Sequence, residues 1–152
     1  MRPTTSILAW SLALAALGAA PVVLQATATP PSRAAETTTH AFRQAEKPVR
    51  GSVTVRRDGD RTLLVFSGDF RTSESAPDLK VAVSPSSTPL AGSKPPAYPL
   101  KPGTYTVLAP LKSASGAQTY VVPASIDLSR QGSVLVWCEQ FNATMAWAPL
   151  RG

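Results

Sequence analysis

Val134-Leu135-Val136-Trp137-Cys138 is an unbroken apolar run between Ser133 and Glu139. Apolar residues at every position, instead of every second one, mark a central strand covered on both faces. Strand alternation places Cys138 on the same face as Val134 and Val136, with Trp137 pointing the other way. A sheet must therefore extend to either side of this run.

The flanking sequence supplies it. Ala143 to Leu150 follows as the last strand candidate. Upstream, Ser52-Val53-Thr54-Val55-Arg56 alternates polar and apolar residues, as a half-buried strand does. Asp58-Gly59 reads as the centre of a two-residue hairpin turn, with Arg61 to Phe66 as the returning strand. Leu79 to Val83, Thr104 to Leu111 and Gln118 to Val122 complete the set, and Ile126 to Arg130 reads as a short turn. About seven short strands and no amphipathic helix predict an all-β domain, a single small β-sandwich or barrel-like fold. Trp137, Phe141 and Trp147 are expected to supply much of its core. Between strands lies residues 84–103, rich in proline (Pro85, Pro89, Pro95, Pro96, Pro99, Pro102) and so unsuited to sheet; it reads as a variable insertion.

The chain has 152 residues, enough for one domain with a modest core. Its N-terminus has the pattern of a secretory signal: Arg2, then an apolar stretch from Ile7 to Leu24, then the small residues Ala26-Thr27-Ala28. The expected boundaries are a signal peptide over 1–28, a flexible linker over 29–50 and the β domain over 51–152. The protein is expected to be exported, periplasmic or extracellular. The alternative is a membrane anchor made by an uncleaved N-terminal segment, since Ile7 to Leu24 is about long enough to span a bilayer. No second apolar run follows, so no span is expected after cleavage.

Composition removes several function classes. Net charge is +6, yet the basic residues are scattered, and the cluster Arg56, Arg57, Arg61 is interleaved with Asp58 and Asp60. That reads as a solvated hairpin tip, and no nucleic-acid partner is expected. One cysteine and one histidine, His40, cannot build a Cys/His zinc site or a blue-copper site. Haem attachment through Cys-x-x-Cys-His, a phosphate loop and a nucleophile elbow are also missing. Asp69, Glu74 and Asp78 could form a carboxylate pair, but acids beside strand ends are ordinarily turn formers. No catalytic set stands out, and any metal is unknown. Asn142-Ala143-Thr144 matches the glycosylation pattern of eukaryotic secretion.

A set of landmarks recurs in order along residues 51–150. Asp69-Phe70 follows the second strand, and Pro77-Asp78-Leu79 opens the third. Leu111-Lys112, Ser115-Gly116, Gln118, Tyr120 and Pro123 form a middle block. Ser133 to Cys138, Phe141 and Ala148-Pro149-Leu150 close it. In this the chain resembles the DM-thirteen family, small extracytoplasmic β domains of electron-transfer type. It departs at Ala76, where the family usually has glycine, and at Trp147, where a small residue is common. The resemblance implies that Cys138 is a redox or cofactor-ligating residue; Trp137 and Phe141 stand beside it among the landmarks, and Asp69, Phe70, Pro77 and Asp78 are read as structural. By side-chain chemistry Met145 and His40 are the only other soft or imidazole ligand candidates after residue 28.

Two functions remain open. One is an electron-transfer module with an unknown cofactor at Cys138, haem being the compatible choice because one or two protein ligands can hold it. Its partner would be an extracytoplasmic redox protein. The other is a non-catalytic binding or scaffold domain in which Cys138 is a buried structural residue, as free cysteine often is.

Overall fold

The computed structural model describes residues 37–151. The expected signal peptide, its cleavage site and the alternative anchor lie outside them. Among the described residues no helix is long and apolar enough to cross a membrane.

Among the described residues nine strands form two antiparallel sheets: β1 (Thr38–Ala41), β2 (Arg43–Gln44), β3 (Ser52–Asp58), β4 (Arg61–Phe66), β5 (Leu79–Ser84), β6 (Thr106–Pro110), β7 (Gln118–Val122), β8 (Ser133–Cys138) and β9 (Ala143–Pro149). A short 3-10 turn, Leu128–Arg130, precedes β8. One sheet has the order β1-β3-β4-β7, the other β2-β9-β8-β5-β6. Neither sheet closes on itself, so of the two expected forms the sandwich is the one adopted. β8 lies between β9 and β5, and all its residues are buried. Its even-numbered residues Val134, Val136 and Cys138 enter the core between the sheets. Leu135 and Trp137 face outward into a second apolar cluster with Leu100, Tyr105 and Trp147.

Three sequence expectations need correction. The segment read as linker over 29–50 is built into both sheets from Thr38 onward. β1 pairs with β3 and β2 with β9, so the chain changes sheets at Phe42. Phe42 fills the corner, 5.0 Å from the Phe66 ring and 5.2 Å from the Phe70 ring, and is 8% exposed. The hairpin turn is centred one residue later than Asp58-Gly59. Asp58 pairs with Arg61, leaving Gly59-Asp60 as the turn. Gly59 has φ +59°, the positive value that a primed turn requires at its first central residue. Finally, Phe141 is 63% exposed and contributes nothing to the core, while Trp147 is half-buried on the outer face. The aromatic core is instead Phe42, Phe66, Phe70 and Tyr120, whose rings stack in sequence at 4.8–5.3 Å.

The proline-rich residues 85–103 are not sheet, but they are anchored. Thr144 N donates to Ala97 O at 2.8 Å and Thr144 Oγ1 to Tyr98 O at 2.8 Å. Leu100 is buried against Trp137. The segment is a lid over the outer face of the second sheet, which explains why β8 is apolar on both sides.

Candidate functional site

Cys138 ends β8 and is fully buried. Its Sγ donates to Pro77 O at 2.8 Å. Pro77 belongs to the segment between β4 and β5, so the thiol ties the end of one strand to the loop that opens another. Asp78 follows with φ +52°, and its carbonyl accepts from Glu139 N at 3.2 Å. Its carboxylate takes Lys80 Nζ at 2.7 Å, and Glu139 adds a contact at 3.4 Å. The hydrogen bond that Lys80 donates to Asp78, with help from Glu139, raises the Lys80 pKa against the opposing effect of burial. Asp69 sits exposed in the turn before Phe70, which is 1% exposed in the aromatic core.

Met145 reaches the same place through an irregularity. The β8–β9 register jumps between Val136↔Ala146 and Trp137↔Thr144, so Met145 is the extra residue of a β-bulge. A bulge lets two successive side chains point the same way. Met145 and Ala146 both enter the inter-sheet core, and Thr144 faces the lid. Cys138 and Met145 then line one pocket of about 230 Å³, with Pro77, Ala97, Glu46 and Phe141 among its other walls.

Two further residues matter here: Glu46 lines the pocket, and Asn142 holds the hairpin next to it. Glu46, in the segment read as linker, is held by Glu46 N donating to Thr144 O at 3.0 Å. Its Oε1 pairs with Lys47 at 3.4 Å, whereas its Oε2 is shut from water with no hydrogen-bond partner. Asn142 turns the β8–β9 hairpin with φ +46°. Its Oδ1 accepts from Leu100 N at 2.9 Å and Trp137 Nε1 at 3.0 Å, and its Nδ2 donates to Leu100 O at 3.1 Å. That amide clamps the lid through three hydrogen bonds, two accepted by its oxygen and one donated by its nitrogen. The sequence signal for Asn142 was present, since Asn is the residue most tolerant of positive φ after glycine, but it was read as a glycosylation match.

Trp137 is on the opposite face from Cys138, packed at a 55° tilt against Tyr105 with ring centres 4.8 Å apart. Phe141 forms part of the pocket mouth. His40 is on β1, in the other sheet, and is not among the pocket residues. A haem does not fit these residues. The pocket is smaller than the about 300–1,000 Å³ of clefts that enclose drug-sized ligands, and no imidazole lines it. Among the described residues no group of three or more His, Cys, Asp or Glu side chains converges as a metal site. What the pocket offers is a thiol, a thioether and a carboxylate oxygen.

No curated protein and no solved structure matches this chain. Residues 41–150 match the family described as Electron transfer DM13. That span begins at Ala41, beside Phe42, and so takes in most of the segment that joins the two sheets. The landmarks along the chain, its two-sheet fold and this match agree, and the chain belongs to the electron transfer DM13 family.

Proposed function

We propose that this domain is an exported electron-transfer module whose redox event occurs at the Cys138 sulfur. Family membership supports the electron-transfer class. The observation that carries the assignment to Cys138 is the shared pocket: the only cysteine of the chain, Met145 and Glu46 line one small cavity, and one oxygen of the Glu46 carboxylate is buried without a hydrogen-bond partner. An electron withdrawn from a thiol leaves with its proton. The electron passes to an extracytoplasmic redox partner, and Glu46 is the base the pocket offers to the proton. Either oxidation or metallation of the sulfur breaks its hydrogen bond to Pro77 O, so the redox state is felt by the loop that carries Pro77 and Asp78. Export is part of the same reading, supported by the apolar run and the small residues at Ala26 and Ala28.

The test is protein-film voltammetry on protein recovered from the exported fraction, with intact mass confirming a chain that starts at Thr29. Wild type is expected to show a redox wave that Cys138→Ala lacks, and Glu46→Gln is expected to slow it. The alanine variant should remain folded, because removing one small core side chain costs about 1 kcal/mol. A wild type without a wave, or a variant with the same wave, overturns the proposal. A second reading then stands, favoured by the complete burial of Cys138 and its bond to Pro77: a binding domain in which this thiol is a structural tie.

A further inference from the structure

We propose that a second cleft, far from Cys138, binds a small amphipathic monocarboxylate, with its apolar body on the cleft floor and its carboxylate at Arg57. The cleft has a volume of about 690 Å³, inside the about 300–1,000 Å³ range of small-molecule sites. It shares no lining residue with the Cys138 pocket. β9 runs from one to the other, Ala143 lining the first and Leu150 the second, which separates them by about 20 Å at strand spacing.

The floor is apolar because the sandwich is open here. Val122 ends β7 and Val55 lies mid-strand in β3, opposite Thr38 at the start of β1; Ile126 and Leu128, from the segment between β7 and β8, and Leu150, just after β9, line the cleft with them. Each packs on the inter-sheet core while still lining the cleft, so an acyl or aryl body laid here would bury surface now wet.

The rim carries charge, and most of it is already engaged. Arg61 pairs with Asp58 at 3.5 Å. Arg151 donates to Ser129 O at 2.7 Å and Gln131 O at 3.1 Å. Asp127 accepts from Ser129 N at 3.0 Å and Ser129 Oγ at 2.6 Å, bonds that hold its carboxyl below the usual range and keep it ionised. The Arg57 side chain has no hydrogen bond or ion pair among the described residues, and its charge adds to those that favour ionised Asp127. Counting Asp58, which pairs with Arg61 from outside the lining, three arginines face three aspartates, so the rim is balanced in charge and the case for an anion rests on Arg57. A carboxylate on an apolar body gives Arg57 the partner it lacks; a neutral alcohol leaves it unpaired.

Amide NMR titration of the whole chain with decanoate tests this, with decanol and decyltrimethylammonium as controls of equal tail. Decanoate is expected to saturate, with shifts confined to the surroundings of Val55, Thr62, Val122, Ile126 and Leu150. Arg57→Gln should weaken it about fivefold, the upper end for an exposed charge pair, and raised salt should do the same to wild type. Arg57→Lys should keep the charge preference, and Ile126→Ser should weaken all the probes that bind. Cys138→Ala should leave the titration unchanged, which separates this site from the redox reading. Decanol or the cation binding as tightly as decanoate overturns the proposal. So do shifts centred elsewhere, no saturable binding, or an Arg57→Gln variant that binds as wild type.

Discussion

Phe42→Ala tests how the two sheets are joined. Phe42 is 8% exposed and sits where the chain passes from β1 to β2, its ring against Phe66 and Phe70. Truncating a buried phenylalanine costs about 3–5 kcal/mol through lost transfer energy and the cavity left behind. Two edge or tilted ring contacts, each worth about 0.5–1.5 kcal/mol, fall within that loss. The corner site can collapse partly toward solvent, so the lower half of the range, about 3–4 kcal/mol, is expected. A domain of this size has about 5–15 kcal/mol in all, so the variant should unfold at much lower urea with an unchanged m-value. Fluorescence of Trp137 and Trp147 reports the transition. Thr39→Ala, which removes an exposed hydroxyl pair with Thr54, should move the midpoint by no more than about 0.5 kcal/mol. A loss under about 1 kcal/mol for Phe42→Ala would refute the argument and return this segment to the status of a linker. The same reasoning applies to Glu46, since a chain trimmed to begin at Gly51 would lose both the corner and one wall of the Cys138 pocket.

Asn142→Ala strands Trp137 Nε1 and Leu100 N without their acceptor; the expected cost is about 2–4 kcal/mol, with faster amide exchange across residues 97–100. Gly51→Ala should be far worse than Gly59→Ala. Gly51 has φ +93° and an added Cβ would lie 2.6 Å from Phe70 Cα, whereas Gly59 has φ +59° and open space. Urea midpoints should show about 3 kcal/mol for the first and about 1 kcal/mol for the second. Burial lowers the His40 pKa from 6.5, so the unfolded chain takes up a proton more readily than the folded one. Stability should therefore fall as pH drops through 6.5 toward the depressed folded value and level off below it. His40→Gln should flatten that window in thermal melts; an unchanged pH profile would show that His40 is solvated.

The sheet strands with a regular apolar period were legible. β3, β4, β5, β7, β8 and β9 fall close to where alternation or an unbroken apolar run placed them. β1 was not, because Thr38-Thr39-His40-Ala41 carries no apolar alternation: its residues face the rim of the sandwich and solvent. Its identity as strand comes from tertiary pairing with β3, a non-local term that local pattern does not encode. Phe141 misled for the opposite reason. As an aromatic residue between Trp137 and Trp147 it suggested a core role, but it stands in the β8–β9 turn and is 63% exposed.

The site divides along the same line. Cys138 could be oriented from sequence because period-two alternation holds along β8 from Val134 to its end. Met145 could not, since counting by twos from Ala148 through Ala146 puts Thr144 inside and Met145 outside. The bulge reverses that parity, sending Thr144 to the lid and Met145 toward the thiol. The backbone around it is unusual too: Met145 O accepts from both Ala45 N and Lys47 N, at 3.1 and 3.5 Å. The same segment that sequence pattern treated as linker thus caps the bulge and brings Glu46 to the pocket. Bulges concentrate where a strand must re-aim a side chain, and here the bulge puts Met145, 2% exposed, into the core beside Cys138, at the place that regular alternation would have given to Thr144.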